Sequence, residues 1–156
     1  MISTKGRYAL RVMIDLTQHK DDGFVPLKSI AQRQKVSQKY LEMIVACLNK
    51  GGIVISQRGK EGGYQLSRSA DKITVGEIIT LMEGSMAPVA CLDCEKNDCD
   101  RAENCLTLPM WQNLDNMISE YLGQITIQDL VDGKIPNMIE SHDNDEDHLD
   151  ETVIAE

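Results

Sequence analysis

Residues 26 to 68 constrain the fold more than any other stretch of this chain. After Pro26, LKSIAQRQ has helical apolar spacing and Lys35-Val36 forms a turn. Ser37 then stands as an N-cap for a helix running to Lys50, where Gly51-Gly52 stops it. Two short helices joined by so tight a turn make a helix-turn-helix candidate, although similar helical hairpins occur in proteins that never meet DNA. IVISQ and YQLSR alternate on either side of RGKEGG and read as strand, Gly-rich basic loop and strand. A hairpin following a helix-turn-helix predicts a mainly α fold with a small β-hairpin wing, a winged helix-turn-helix.

Residues 5 to 19 predict a preceding helix, with Ala9, Leu10, Val12, Met13 and Leu16 at helical spacing and Ser3 or Thr4 as its cap; Asp21, Asp22 and Gly23 end it. Downstream, Thr74 and Glu77 frame a T-x-x-E capping box that opens VGEIITLME. Residues 107 to 122 form a long amphipathic helix. Met110, Leu114, Met117 and Tyr121 recur in steps of 4, 3 and 4, and Trp111 and Ile118 widen the stripe. A small domain has little core left to cover that stripe, so these six residues are the expected dimer interface. Thr126 and Asp129 cap a short last helix. The expected organisation is a DNA-binding domain over residues 1–84, a cysteine-rich loop over 85–106, dimerisation and terminal helices over 107–135, and an acidic tail over 136–156.

A net charge of -9 over 156 residues would argue against a nucleic-acid partner if it were evenly spread. It is not. Residues 1 to 70 hold 12 Lys and Arg against 5 Asp and Glu, a net of +7, and the remainder carries 4 against 20, a net of -16. A basic module can hold phosphates while the acidic part faces away. Residues 140 to 156 contain eight carboxylates and no Lys or Arg, a composition expected to be disordered and solubilising. The chain shows no secretion leader and no apolar run long enough to span a membrane, so a cytoplasmic location is expected.

At ~100° per residue, Leu41, Ile44, Val45 and Leu48 share one side of the third helix, while Lys39, Glu42, Met43, Ala46 and Lys50 share the other. The first set is core. The second is what a recognition helix offers to a major groove, with Ser37, Gln38, Lys39 and Tyr40 at the end nearest the base edges. Glu42 is informative because a carboxylate among phosphates is repelled unless it accepts a hydrogen bond from a cytosine amino group. Lys5, Arg7, Arg11, Lys39, Arg58 and Lys60 are candidate phosphate or minor-groove contacts; each also reads as an ordinary solvated charge. Cys47 flanks the core stripe and reads as packing.

Four of the five cysteines, Cys91, Cys94, Cys99 and Cys105, form C-x2-C-x4-C-x5-C. Without a secretion signal, metal ligation is a better reading than disulfides. Spacing alone leaves an iron-sulfur cluster, zinc and unligated thiols open, though the single close pair fits zinc knuckles poorly. No Ser-His-Asp set, phosphate-cradling loop or carboxylate pair stands out, and His19, His142 and His148 lie far from the motifs, so no enzymatic activity is expected.

The blocks STKGRYAL, VSQKYLEMI, RGKEGGYQLSR, ITVGEII, the cysteine loop leading into CLTLPMW, and ITIQDLV occur in this order over roughly residues 1 to 135. In these blocks the chain resembles the IscR-type cluster-sensing regulators, a family that includes the nitric-oxide sensor NsrR. The resemblance implies a homodimeric winged-helix repressor or dual regulator of iron-sulfur biogenesis or stress genes. It implies double-stranded DNA with an inverted-repeat operator as partner, cluster-assembly machinery as donor, and one cluster per subunit, [2Fe-2S] ahead of [4Fe-4S]. It assigns Cys91, Cys99 and Cys105 as ligands. The IscR pattern adds a histidine three residues past the last cysteine, which here is Leu108, and places five residues between its first two ligand cysteines where seven separate Cys91 from Cys99. The NsrR-like pattern recruits an N-terminal acid from the other subunit, where this chain has Arg7. Chemistry alone nominates Cys94 as the fourth ligand. The rival expectation is an iron-sulfur or zinc carrier without cluster-controlled DNA binding, and the signal stays open among cluster supply, oxygen, nitric oxide and redox state.

Overall fold

In the computed structural model, residues 2–93 and 99–137 are described. Ser3 opens α1 (Thr4–Gln18), its hydroxyl accepting from the backbone N–H groups of Lys5 and Gly6. Leu27–Gln34 form α2 and Gln38–Lys50 form α3. Between them Lys35 adopts a left-handed conformation, φ 53°, so that its N–H turns back to α2 carbonyls and the chain reverses within three residues. Ser37 caps α3 through the Tyr40 N–H, as the sequence predicts. The hairpin follows: β1 (Val54–Gln57) pairs antiparallel with β2 (Gly63–Leu66), Val54 opposite Leu66 and Gln57 opposite Gly63.

Thr74 caps α4 (Val75–Glu83) by accepting from the Glu77 N–H. The expected capping box is only half made. The Glu77 carboxylate pairs instead with the Arg68 guanidinium, because a full opposite charge outbids a backbone N–H as its partner. Leu108–Gln124 form α5, with Pro109 in its first turn in place of a side-chain cap. At α6 (Ile127–Asp132) the complete box is present between Thr126 and Asp129.

One apolar core joins these elements. Val12, Met13 and Leu16 of α1, Ile30 of α2, Leu41, Ile44 and Leu48 of α3, Ile53, Ile73, Ile78 and Ile127 are essentially inaccessible to solvent. Each contributes about 1.5–3 kcal/mol by leaving water. The α1 helix is central, packing against α2, α3, α4, α6 and β2. By contrast, α5 buries none of its seventeen residues. Its far end is pinned to the body: the Val75 N–H donates to the Ile125 carbonyl (2.8 Å), the Ile127 N–H donates to the Ile73 carbonyl (2.9 Å), and Gly76 lies against the Leu122–Gly123 backbone.

The hairpin is tied down in a similar way. Val25 and Tyr64 exchange backbone hydrogen bonds of 2.9 Å in both directions, so the residue two before α2 extends the wing sheet. Gly63 makes this approach possible, since a Cβ there would overlap the Val25 carbonyl. Gly63→Ala is therefore expected to destabilise the protein by ~1–3 kcal/mol through forced backbone displacement. Chemical denaturation would register this as a lower midpoint, and an unchanged midpoint would mean that the strand relaxes freely.

Candidate DNA-binding face and cysteine loop

The α3 helix divides as its sequence predicts: Leu41, Ile44, Val45 and Leu48 are buried, and Lys39, Glu42, Met43, Ala46 and Lys50 are exposed, Met43 at 60%. A groove runs between α3 and the wing, bordered by Gln38 and Glu42 on one side and Ser56, Gln57 and Arg58 on the other. Gln38 donates from Nε2 to Glu42 Oε1 (3.2 Å), which orients the carboxylate along the exposed face. Arg58 and Lys60 project on the wing, both exposed. Lys28, Ser56 and Gln57 also border this groove, and the sequence reading missed them because nothing in their spacing announces that the wing folds back beside α3. Lys5 and Arg7 lie on the first turns of α1, where Arg7 donates to Thr4 Oγ1.

This face is braced from behind by a buried carboxylate. Asp15, 2% exposed, accepts from Arg33 Nη2 (2.6 Å) and Nε (2.9 Å) and from Gln34 Nε2 (3.0 Å), linking α1 to α2. Gln34 in turn accepts from Arg11 Nε at its side-chain oxygen (2.8 Å). The Arg11 guanidinium lies 4.9 Å from the centre of the Tyr8 ring, and Tyr8 meets Tyr40 edge-on at 5.6 Å. The first turn of α3 is thus connected, contact by contact, to the interior of α1.

The cysteines lie between α4 and α5. Cys91 sits half-buried on a 3-10 turn over residues 90–92, Cys99 is exposed, and Cys105 is half-buried at the end of a second turn over 102–104. Cys94, Asp98 and the acidic tail from residue 138 lie outside the described residues, as do His142 and His148. Among the described residues no three His, Cys, Asp or Glu side chains converge on one point. Cys105 is held below the ordinary thiol range, first by its contact with the Thr107 hydroxyl (3.5 Å) and then by backbone N–H groups of Thr107 and Leu108. Favouring the thiolate at Cys105 favours the form that ligates metal, and three cysteine sulfurs on one short loop are donors suited to a soft metal centre.

The loop leaves α4 directly after Glu83. That carboxylate accepts from the Ser3 hydroxyl (2.8 Å) and backbone N–H (3.1 Å), joining the start of the loop to the cap of α1. The six proposed interface residues of α5 divide between two environments. Ile118 and Tyr121 line an apolar cavity of about 480 Å³ against Ile2, Met86 and Pro88, while Met110, Leu114 and Met117 stand 52%, 38% and 62% exposed. Trp111 is half-buried.

A family model described as an iron-dependent transcriptional regulator, Rrf2, matches residues 2–133 of this sequence. The chain belongs to the Rrf2 family. Among its relatives, the transcriptional regulator IscR of Erwinia tasmaniensis is 41% identical over 133 residues, covering 85% of this chain and 79% of that protein. The solved structure of IscR from T. potens superimposes with a TM-score of 0.68 at 41% identity, covering 85% of this chain and 87% of that one. CymR, the global cysteine regulator of B. subtilis, superimposes with a TM-score of 0.70 at 38% identity, covering 85% and 97%. This Rrf2 chain is accordingly a transcriptional regulator with a winged-helix fold, a non-enzymatic role. Among the described residues no helix is long and apolar enough to cross a membrane.

Burial raises the proton affinity of the Asp15 carboxyl, but hydrogen bonds from Arg33 and Gln34, then the charges of Arg33 and His19, outweigh it and leave it below the ordinary carboxylate range. A depressed folded-state value adds stability that is present above the unfolded value of about 4 and is lost as pH falls through the folded one. Asp15→Asn should remove that acid-side dependence and lower stability at neutral pH by ~2–3 kcal/mol, at the low end for a buried pair because Arg33 is partly in solvent. Urea denaturation at pH 7 and pH 3 checks both statements; equal losses for the variant and the parent between these pH values would exclude the role.

Proposed function

We propose that this chain is a homodimeric DNA-binding regulator whose affinity for an inverted-repeat operator is set by an iron-sulfur cluster on the loop 91–105. The observation that carries the DNA reading is the exposed α3 face beside a basic wing, with the Glu42 carboxylate held on that face by Gln38. In a two-fold dimer, identical α3 helices enter successive major grooves about one helical turn apart. Lys39, Arg58 and Lys60, with Lys5 and Arg7, supply phosphate or minor-groove contacts. Ser37, Gln38, Tyr40, Glu42 and Met43 face the base edges, and Glu42 accepts from a cytosine amino group.

The dimer reading rests on α5, whose Met110, Leu114 and Met117 are exposed at 52%, 38% and 62% and are left largely uncovered by the described residues of their own subunit. Trp111, Ile118 and Tyr121 complete that stripe. The cluster reading rests on the donor set, on the family's description as iron-dependent, and on relatives named IscR. Cys91, Cys99 and Cys105 would hold the cluster, with Cys94 as the fourth ligand; [2Fe-2S] is proposed ahead of [4Fe-4S], delivered by cluster-assembly machinery in the cytoplasm. When bound, a cluster supplies a rigid cross-link between segments of the loop and a redox-sensitive charge. The chain's own residues do the rest. Cross-linking Cys91, Cys99 and Cys105 would act on Glu83 and Ser3 at one end and on α5 at the other, which biases the spacing of the two α3 helices.

Two experiments decide this reading. Anaerobic purification with iron and sulfide analysis and an absorption spectrum should show a cluster in the wild type, and Cys94→Ala should lower iron content as much as Cys91→Ala. Zinc without sulfide overturns the cluster reading, and a normal cluster in Cys94→Ala overturns the four-cysteine site alone. Selection of binding sites from random DNA should give an inverted repeat for the wild type. For Glu42→Ala the same repeat should appear with discrimination relaxed at one base position per half-site, by ~1–3 kcal/mol. Identical selected motifs would remove the base-reading role of Glu42.

A further inference from the structure

The Arg11 guanidinium is exposed, yet it is held in place. Its Nε donates to Gln34 Oε1 at 2.8 Å, one Nη2 hydrogen reaches the Gln34 carbonyl at 3.4 Å, and its plane sits over the Tyr8 ring. All three partners are neutral. Among the described residues Arg11 makes no ion pair, and its Nη1 donors have no partner. Arg33 and Arg68 differ, since each spends its charge on a carboxylate, Asp15 and Glu77 respectively. Asp15 could have competed for Arg11, but its oxygens are taken by Arg33 and Gln34. An ordered cation with an unspent charge and open donors is suited to an anion that accepts more than one hydrogen bond.

Its position selects the anion. Arg11 stands beside the turn between α2 and α3, and through Tyr8 it touches Tyr40 in the first turn of α3. When that turn enters a major groove, α2, the first helix of the pair, crosses the sugar-phosphate backbone, and its bonds to Gln34 hold the Arg11 guanidinium at the C-terminal end of that helix. Lys35 and Lys39, both exposed, flank the same turn.

We infer that Arg11 is a backbone anchor that grips a DNA phosphate beside each half-site, and that Gln34 and Tyr8 are positioning residues holding its guanidinium ready. The inference rests on the DNA-binding reading above. Because Gln34 is itself fixed by the buried Asp15, the grip is referenced to the core rather than to a flexible side chain, so little side-chain entropy is lost on contact. A phosphate contact carries no base information, so it raises affinity for all sequences alike.

The test uses the full-length protein and two duplexes of equal length, one selected by the wild type from random DNA and one of unrelated sequence, titrated by fluorescence anisotropy from 50 to 200 mM salt. Losing one phosphate contact per subunit lowers the slope of log affinity against log salt by about 0.9 for each. For a dimeric Arg11→Ala the loss of affinity across that fourfold salt range should therefore be about tenfold smaller than for the wild type. The change should appear on both duplexes with the selected motif unaltered. Arg11→Lys should keep the wild-type slope but bind several-fold more weakly, because an ammonium cannot make the paired contact. Gln34→Ala should likewise keep the slope and bind several-fold more weakly, with a lower unfolding midpoint because it also takes the amide from the buried Asp15. Unfolding midpoints for Arg11→Ala and Arg11→Lys should fall only slightly below the wild type, since the side chain is exposed and its contacts are to neutral groups. An unchanged slope for Arg11→Ala, or a change confined to the selected duplex, overturns the anchor. A wild type that binds neither duplex overturns the DNA-binding reading itself, and the anchor with it.

Discussion

The placement of the exposed α3 face depends on the ion pair between Asp15 and Arg33. A carboxylate at 2% exposure is tolerable only when its charge and lone pairs are met, and here a two-pronged guanidinium and the Gln34 amide meet them. The bond geometry is directional, whereas the apolar contacts between α1 and α2 are not. The pair therefore fixes how α2, and through its three-residue turn α3, is set against α1. A hydrophobic replacement of similar volume can pack as firmly, but it does not define the angle in the same way.

The same economy of charge governs the rest of the surface. Basic side chains cluster at the start of α1, along α3 and on the wing, while the acidic excess lies past residue 70. Within the basic half, two carboxylates have assigned partners: Asp15 holds Arg33, and Glu42 takes a hydrogen bond from Gln38. Exposed cations such as Arg58 and Lys60 on the wing are in no ion pair among the described residues. Long-range attraction would be weakened by the acidic remainder at low salt, yet over distances beyond about 10 Å this is screened under physiological conditions.

Much of this architecture is written locally in the chain. Ser37, Thr74 and Thr126 act as caps where sequence spacing puts them, and the buried and exposed sides of α3 separate residue by residue as its periodicity predicts. Readings that depended on distant partners fared differently. Asp15 sits in α1 with the spacing of an unremarkable polar residue, and only the arrival of Arg33 from another helix makes it a buried brace. Glu77 has the position of a reciprocal cap, but Arg68 from the end of the hairpin claims its carboxylate. On α5 the apolar stripe is legible, but its division into a side facing Ile2 and Met86 and a side facing outward is not, because that depends on how the loop after Gly84 returns. Residue type and spacing make Cys91, Cys94, Cys99 and Cys105 candidate ligands, and only the family resemblance singles out Cys91, Cys99 and Cys105; the geometry that would join them is not a property of spacing.

The two ends of α5 are restrained unequally. Its C-terminal end is fastened by the pair of backbone hydrogen bonds to residues 73 and 75 and by the Gly76 contact, whereas its N-terminal end follows directly from the cysteine loop. A rod hinged at one end converts translation at the other into rotation. At 1.5 Å per residue the seventeen residues of α5 make an arm of about 25 Å, so a shift of ~1 Å beside Cys105 turns the arm by about 2°. Contacts along the arm move in proportion to their distance from the hinge. Met110, near the loop, is carried farther than Met117, and Tyr121 hardly moves, so a small change in loop geometry would be felt as a graded twist across one helix face.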